Sequence, residues 1–122
     1  MTGLIRLLGQ HELGEYSSSD GEFWLKDSSE GKEVLEGLVP PAPLVRFWKD
    51  SGKSEEAWNT CKCVYEDLLQ SSEARKDLVY LSVLAKRGKT YNVVCDCWDG
   101  EKCIRSLVFN ALADMQASVF LG

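Results

Sequence analysis

The chain of 122 residues has the length of one domain, and its 44% hydrophobic and 10% aromatic residues supply enough apolar surface for a packed core. That composition excludes a mostly disordered chain. The formal net charge of −5 argues against general binding to nucleic acid or to an anionic membrane surface.

The sequence also points to a cellular compartment. No apolar run approaches the roughly 18–20 residues of a membrane helix, and the first residues lack the pattern of a signal peptide. The five cysteines are an odd number in a chain that can build its own core, which argues against a secreted disulfide scaffold. We therefore expect a single cytoplasmic domain, residues 1–122, with reduced thiols.

The first part of the chain predicts two short strands and a short helix. Residues 3–8 and 22–26 are candidate strands, and a turn rich in Ser, Asp and Gly separates them. The stretch 40–43 contains three prolines and cannot lie inside a helix. Pro43 nevertheless suits a first helical turn, so we expect a helix over residues 44–49.

The second part predicts three helices and a buried strand. Ser54 is a candidate N-cap, and the helix after it presents one apolar face: Ala57, Trp58, Cys61, Tyr65, Leu68 and Leu69. Ser71 or Ser72 caps a further helix that ends at the Lys86-Arg87-Gly88 signal. Residues 91–95 are β-rich and apolar, as in a strand covered on both faces. The last helix has the clearest apolar stripe: Ile104, Leu107, Val108, Ala111, Leu112 and Met115.

This order of elements predicts a small layered α/β fold, with a short, mostly parallel sheet flanked by helices. In such sheets, sites form beyond the carboxyl ends of the strands, where a loop leads into a helix. The candidate site is therefore the segment 95–105. Its candidate catalytic residues are Cys97, Cys103 and Arg105, and its candidate ligand-binding residues are Cys95, Trp98 and Lys102.

The same region carries a family resemblance. The motifs Val93-Val94-Cys95-Asp96-Cys97 and Lys102-Cys103-Ile104-Arg105-Ser106, with the proline-rich entry at residues 38–44, resemble the domain-of-unknown-function family numbered 488. The similarity covers roughly residues 36–114. The family's Cys-His-Arg is Cys103-Ile104-Arg105 here, so the imidazole is missing, and so is the basic segment that many members carry near the second strand. The resemblance implies the fold and the position of the site, and it implies no reaction.

The cysteines have three interpretations. They are packing residues, or reactive thiols near a helix N-terminus with Lys102 and Arg105, or metal ligands. The acidic residues at 96, 99 and 101 oppose a thiolate. Neither Cys-x-Cys pair has the spacing of a zinc knuckle, and Cys61 and Cys63 would face apart on a helix. We expect no metal and no cofactor.

Two classes of function remain open. The first is a non-catalytic accessory or interaction module with an unknown protein partner, which the missing histidine favours. The second is a small thiol-dependent enzyme or anionic-ligand-binding domain that uses the segment 95–105. Residues 75–105 carry a net charge of +3, whereas residues 1–74 carry −7. That basic surplus is either a solvated surface or part of a pocket for a small anionic ligand.

Overall fold

A computed structural model describes residues 3–16, 19–25, 33–95 and 103–121, and helical segments separate the strands along them. The strands are β1 (Leu4–Gly9), β2 (Gly21–Trp24), β3 (Thr90–Cys95) and β4 (Val119–Leu121). The α-helices are α1 (Ala42–Asp50), α2 (Glu55–Leu68), α3 (Ser72–Lys86) and α4 (Ile104–Asp114). Short 3₁₀ helices lie at Gln10–Glu15 and Glu36–Leu38.

The local signals in the sequence set the helix ends. The Oγ of Ser54 accepts a hydrogen bond from the backbone N–H of Ala57 at 3.2 Å, and Ser71 caps α3 in the same way. Gly88, just after α3, has a φ of +83°, a conformation that favours glycine. The predicted starts of α2 and α3 are therefore confirmed, and α1 begins two residues before the predicted helix.

Four strands of the described chain form one sheet in the order β2-β3-β1-β4, and every pair is parallel. The predicted α/β fold with a parallel sheet is confirmed. The last strand, β4, was not predicted, because three residues are too short for a period to be read. It forms because its backbone pairs with β1, where Ile5 lies opposite Val119.

The two faces of the sheet pack differently. Alternate residues of the central strands, Ile5 and Leu7 in β1 and Val93 in β3, belong to the core that also includes side chains from all four helices. Leu8 and Val94 are also fully buried but lie outside that core cluster, as expected for the opposite face. The prediction of a central strand covered on both faces is confirmed by Val93 and Val94.

The strand order identifies the edge of the sheet at which ligands bind in folds of this kind. The chain leaves β1 for β2 on one side of the sheet and leaves β3 for β4 on the other, although β1 and β3 are neighbours. Because crossovers between parallel strands are right-handed, these two connections leave over opposite faces. The carboxyl ends of β1 and β3 therefore form a topological switch point.

No helix in the described ranges is long and apolar enough to cross a membrane.

Candidate functional site

A buried ion pair joins the two connections at the switch point. Glu12 lies in the 3₁₀ helix after β1, and its Oε1 accepts a hydrogen bond from the backbone N–H of Gly9 at 2.9 Å. The same oxygen lies 2.6 Å from Nη1 of Arg105, in the first turn of α4. The side chains of Glu12 and Arg105 are only 15% and 9% exposed. The pair therefore ties the end of β1 to the start of α4.

Two thiols lie at the same edge of the sheet. Cys95 ends β3 opposite Gly9 of β1, and Cys103 is the N-cap residue of α4. Their Sγ atoms are 3.2 Å apart, and the residues are 0% and 2% exposed. The Cys103 side chain makes no capping hydrogen bond, so its sulfur faces Cys95 rather than the helix backbone. The end of β3 and the start of α4 thus converge on one pair of sulfurs.

The electrostatics of Arg105 keep it cationic. Burial by itself lowers the pKa of its guanidinium, but negative charge on Cys95 and Cys103 and side-chain hydrogen bonds with Glu12 and Cys103 outweigh burial and raise that pKa. The Nε of Arg105 is also buried and has no hydrogen-bond acceptor among the residues that the structure describes. The described residues therefore leave one donor of the guanidinium without an acceptor.

Tyr65 on α2 responds to the same charges. Its hydroxyl donates a hydrogen bond to the backbone oxygen of Leu38 at 2.5 Å, and the residue is fully buried. Burial raises the pKa of the phenol, and negative charge on Cys95 and Cys103 raises it further. The phenol is therefore neutral in the folded protein at neutral pH. The helix α2 therefore contributes the Tyr65 hydroxyl, as well as an apolar face, to the core.

The structure brings together three of the six predicted site residues. Cys95, Cys103 and Arg105 meet at the switch point, whereas Cys97, Trp98 and Lys102 lie outside the described residues. Sequence reasoning missed two members of this site: Glu12 and Tyr65. Glu12 pairs with a residue 93 positions away, and only its place just after a strand predicted to be parallel gave a signal. The helical spacing assigns Tyr65 only to the apolar face of α2.

The other predicted cysteine pair does not converge. Cys61 is buried on α2, whereas Cys63 is exposed, so the two thiols face different environments as their helical spacing predicted. Burial raises the pKa of the Cys61 thiol. Within the described ranges, no group of three or more Cys, His, Asp or Glu side chains is placed to hold a metal ion.

Comparison with known proteins identifies one family. The model named DUF488-N3a, described as the active DUF488-N3 subclade, matches residues 24–116. That range includes Cys95, Cys103 and Arg105, whereas Glu12 precedes it. No curated protein and no solved structure matches the chain significantly.

Proposed function

Since the chain belongs to the DUF488 family, within the subclade described as active, we propose that it is a small thiol-dependent enzyme that binds an anionic ligand at the switch point between β1 and β3. The observation that carries this proposal is the state of Arg105. Its side chain is buried, its Nη1 is held by Glu12, and its Nε has no acceptor within the described part of the chain. Such a guanidinium is oriented in advance for an anionic group.

The N-terminus of α4 supports the same assignment. The first backbone N–H groups of a helix point away from it and favour an anion, and α4 begins beside Arg105. In this proposal Arg105 and the helix N-terminus orient the anionic group of the ligand, and Glu12 is a positioning residue for Arg105. Cys103 is then the described thiol best placed to act as the nucleophile, and Cys97 is the alternative nucleophile that the sequence predicts.

A titration with inorganic phosphate tests the anion site. We expect phosphate to raise the melting temperature of the wild-type protein, because a ligand that binds only the folded state stabilises it. Arg105→Gln should abolish this increase, and Arg105→Lys should weaken it because a lysine cannot present two parallel donors. Arg75→Gln is the matched control, since Arg75 is an exposed arginine of α3 outside the switch point. An equal phosphate response in the Arg105→Gln and Arg75→Gln variants would overturn the proposal.

One observation favours a second candidate, a non-catalytic interaction module. Cys95 and Cys103 are almost completely buried, and the charge of Arg105 is already balanced by Glu12. Residues that only stabilise the fold would have these features. In that case phosphate would not raise the melting temperature of the folded protein. A phosphate response that requires Arg105 would exclude this candidate.

A further inference from the structure

Two sulfur atoms at the switch point are close enough for covalent chemistry. The Sγ atoms of Cys95 and Cys103 are 3.2 Å apart, and a disulfide bond measures about 2.0 Å. The positions of the two sulfurs are set by different elements, the end of β3 and the N-cap of α4. Residues 96–102 separate them along the chain. A small relative movement of one element would therefore bring the sulfurs to bonding distance.

We propose that Cys95 and Cys103 form a redox pair that hydrogen peroxide converts into a disulfide. The thiolate of one cysteine attacks a peroxide oxygen, the O–O bond breaks, and a sulfenic acid and a hydroxide form. The hydroxide takes the proton of the second thiol. The second thiolate attacks the sulfenic sulfur and expels its hydroxyl group, which takes up the proton lost by the first thiol. Overall, the two thiols lose two electrons and two protons, and one peroxide becomes two waters.

The surroundings of the pair favour this reaction over oxidation of the other buried thiol. Arg105 is cationic and lies beside both sulfurs, and a neighbouring cation favours the thiolate, which is the reactive form. Burial opposes the thiolate at all three cysteines and raises the pKa of the Cys61 thiol, whereas the charge of Arg105 acts on Cys95 and Cys103. Because Cys95 and Cys103 are almost inaccessible, the oxidant has to be small and uncharged. Hydrogen peroxide meets both conditions.

The disulfide would also regulate the proposed site, and this consequence alone rests on the proposed function. Oxidation consumes the Cys103 thiol and ties the N-terminus of α4 to the end of β3. Bond formation shortens the sulfur–sulfur distance from 3.2 Å to about 2.0 Å, so it displaces the start of α4, which carries Arg105, from its position at the anion site. We expect the oxidised protein to lose its phosphate response and the reduced protein to regain it.

Peptide mapping of the full chain tests the pair directly. Trypsin releases residues 90–102 and 103–105 as separate peptides, and the first contains both Cys95 and Cys97. In a Cys97→Ser background, peroxide treatment followed by alkylation in denaturant should join these two peptides. The number of alkylated thiols should fall from four to two. Failure to form this link in the folded protein would overturn the proposal.

Two further variants separate the partners. Adding Cys95→Ser to the Cys97→Ser background should abolish the link, whereas Cys63→Ser, which removes an exposed thiol on α2, should leave it intact. Cys103→Ala replaces Cys95→Ser if that variant is unfolded by circular dichroism. In a chain that retains Cys97, a link that persists after Cys95→Ser would identify Cys97 as the partner and overturn the assignment.

Phosphate binding separates this inference from the proposed function. A disulfide that forms in a protein whose reduced state never responds to phosphate would leave the redox pair valid and overturn the anion site. A disulfide that forms without changing the phosphate response would overturn the regulatory consequence. Loss of the response on oxidation, with recovery after dithiothreitol, would support both.

Discussion

Two pairs of cysteines in this chain differ in how their separation in sequence relates to their separation in space. Cys61 and Cys63 lie two residues apart on α2, and one is buried while the other is exposed. Cys95 and Cys103 lie eight residues apart on different elements, and their sulfurs are in contact. Closeness in sequence does not bring Cys61 and Cys63 together, because residues two positions apart on a helix point in different directions. Cys95 and Cys103 meet because the start of α4 packs against the end of β3.

The largest effect is expected from a change in the packing of α4, the helix whose N-cap residue is Cys103. Val108 is fully buried on this helix. Val108→Asp should lower the free energy of unfolding by about 3–4 kcal/mol, because it buries a charge without a partner. Asn110→Asp, at an exposed position of the same helix, should change stability by less than about 0.5 kcal/mol. Urea unfolding measures both, and equal stabilities would contradict the assigned face of α4.

The ion pair that holds α4 at the switch point gives the next largest effect. Glu12→Ala leaves the buried Arg105 without its carboxylate, and it should cost about 2–3 kcal/mol. Glu15→Ala, at an exposed position in the same 3₁₀ helix, is the control. Combining Glu12→Ala with Arg105→Met should cost less than the two single changes together. Additive costs in urea unfolding would show that the two side chains do not interact.

The pH dependence of stability tests the charges around the thiols. Because the folded state raises the pKa of the Tyr65 phenol above its ordinary 10.0, the unfolded chain ionises first. The stability that this neutral phenol contributes is fully present below about pH 10 and decreases as the pH rises above it. Tyr65→Phe should remove part of this alkaline loss. At neutral pH it should cost about 1–2 kcal/mol, because the Leu38 carbonyl loses its donor.

Unfolding measured between neutral and alkaline pH gives this comparison. The matched control is Tyr80→Phe, since Tyr80 is 47% exposed on α3. It should keep the full alkaline loss of the wild-type protein. If Tyr65→Phe and Tyr80→Phe have the same alkaline slope, the raised pKa of Tyr65 is contradicted.

The smallest expected effect is a difference in alkylation rate between the thiols. Cys61 and Cys103 are 1% and 2% exposed, so static exposure does not distinguish their alkylation rates. Cys103 should react faster than Cys61 in the native protein. A helix N-terminus contributes only about 0.3–1 kcal/mol, so the advantage should be about two- to fivefold. Mass spectrometry of each cysteine as a function of pH measures it, and faster labelling of Cys61 would contradict the ranking. Exposed Cys63 should react before Cys61, and Cys63→Ser should change stability by less than about 0.5 kcal/mol.

The sequence by itself determined the four α-helices and the first three strands, and it predicted a candidate site in the segment 95–105. The serine caps, the glycine after α3 and the apolar stripes are local signals, because they act over a few residues. They predicted the helix starts, the buried strand β3 and a site in the segment 95–105. The family resemblance over residues 36–114 agrees with the match over residues 24–116.

Only the tertiary structure decided which side chains meet. Glu12 contacts Arg105 because β1 and β3 are neighbours, and no short-range pattern encodes a pairing 93 residues apart. The contact between Cys95 and Cys103 likewise depends on how α4 packs against the end of β3. The strand β4 is defined by its backbone pairing with β1. Local periodicity specifies an element and its buried face, whereas contacts between elements depend on the strand order that the whole core selects.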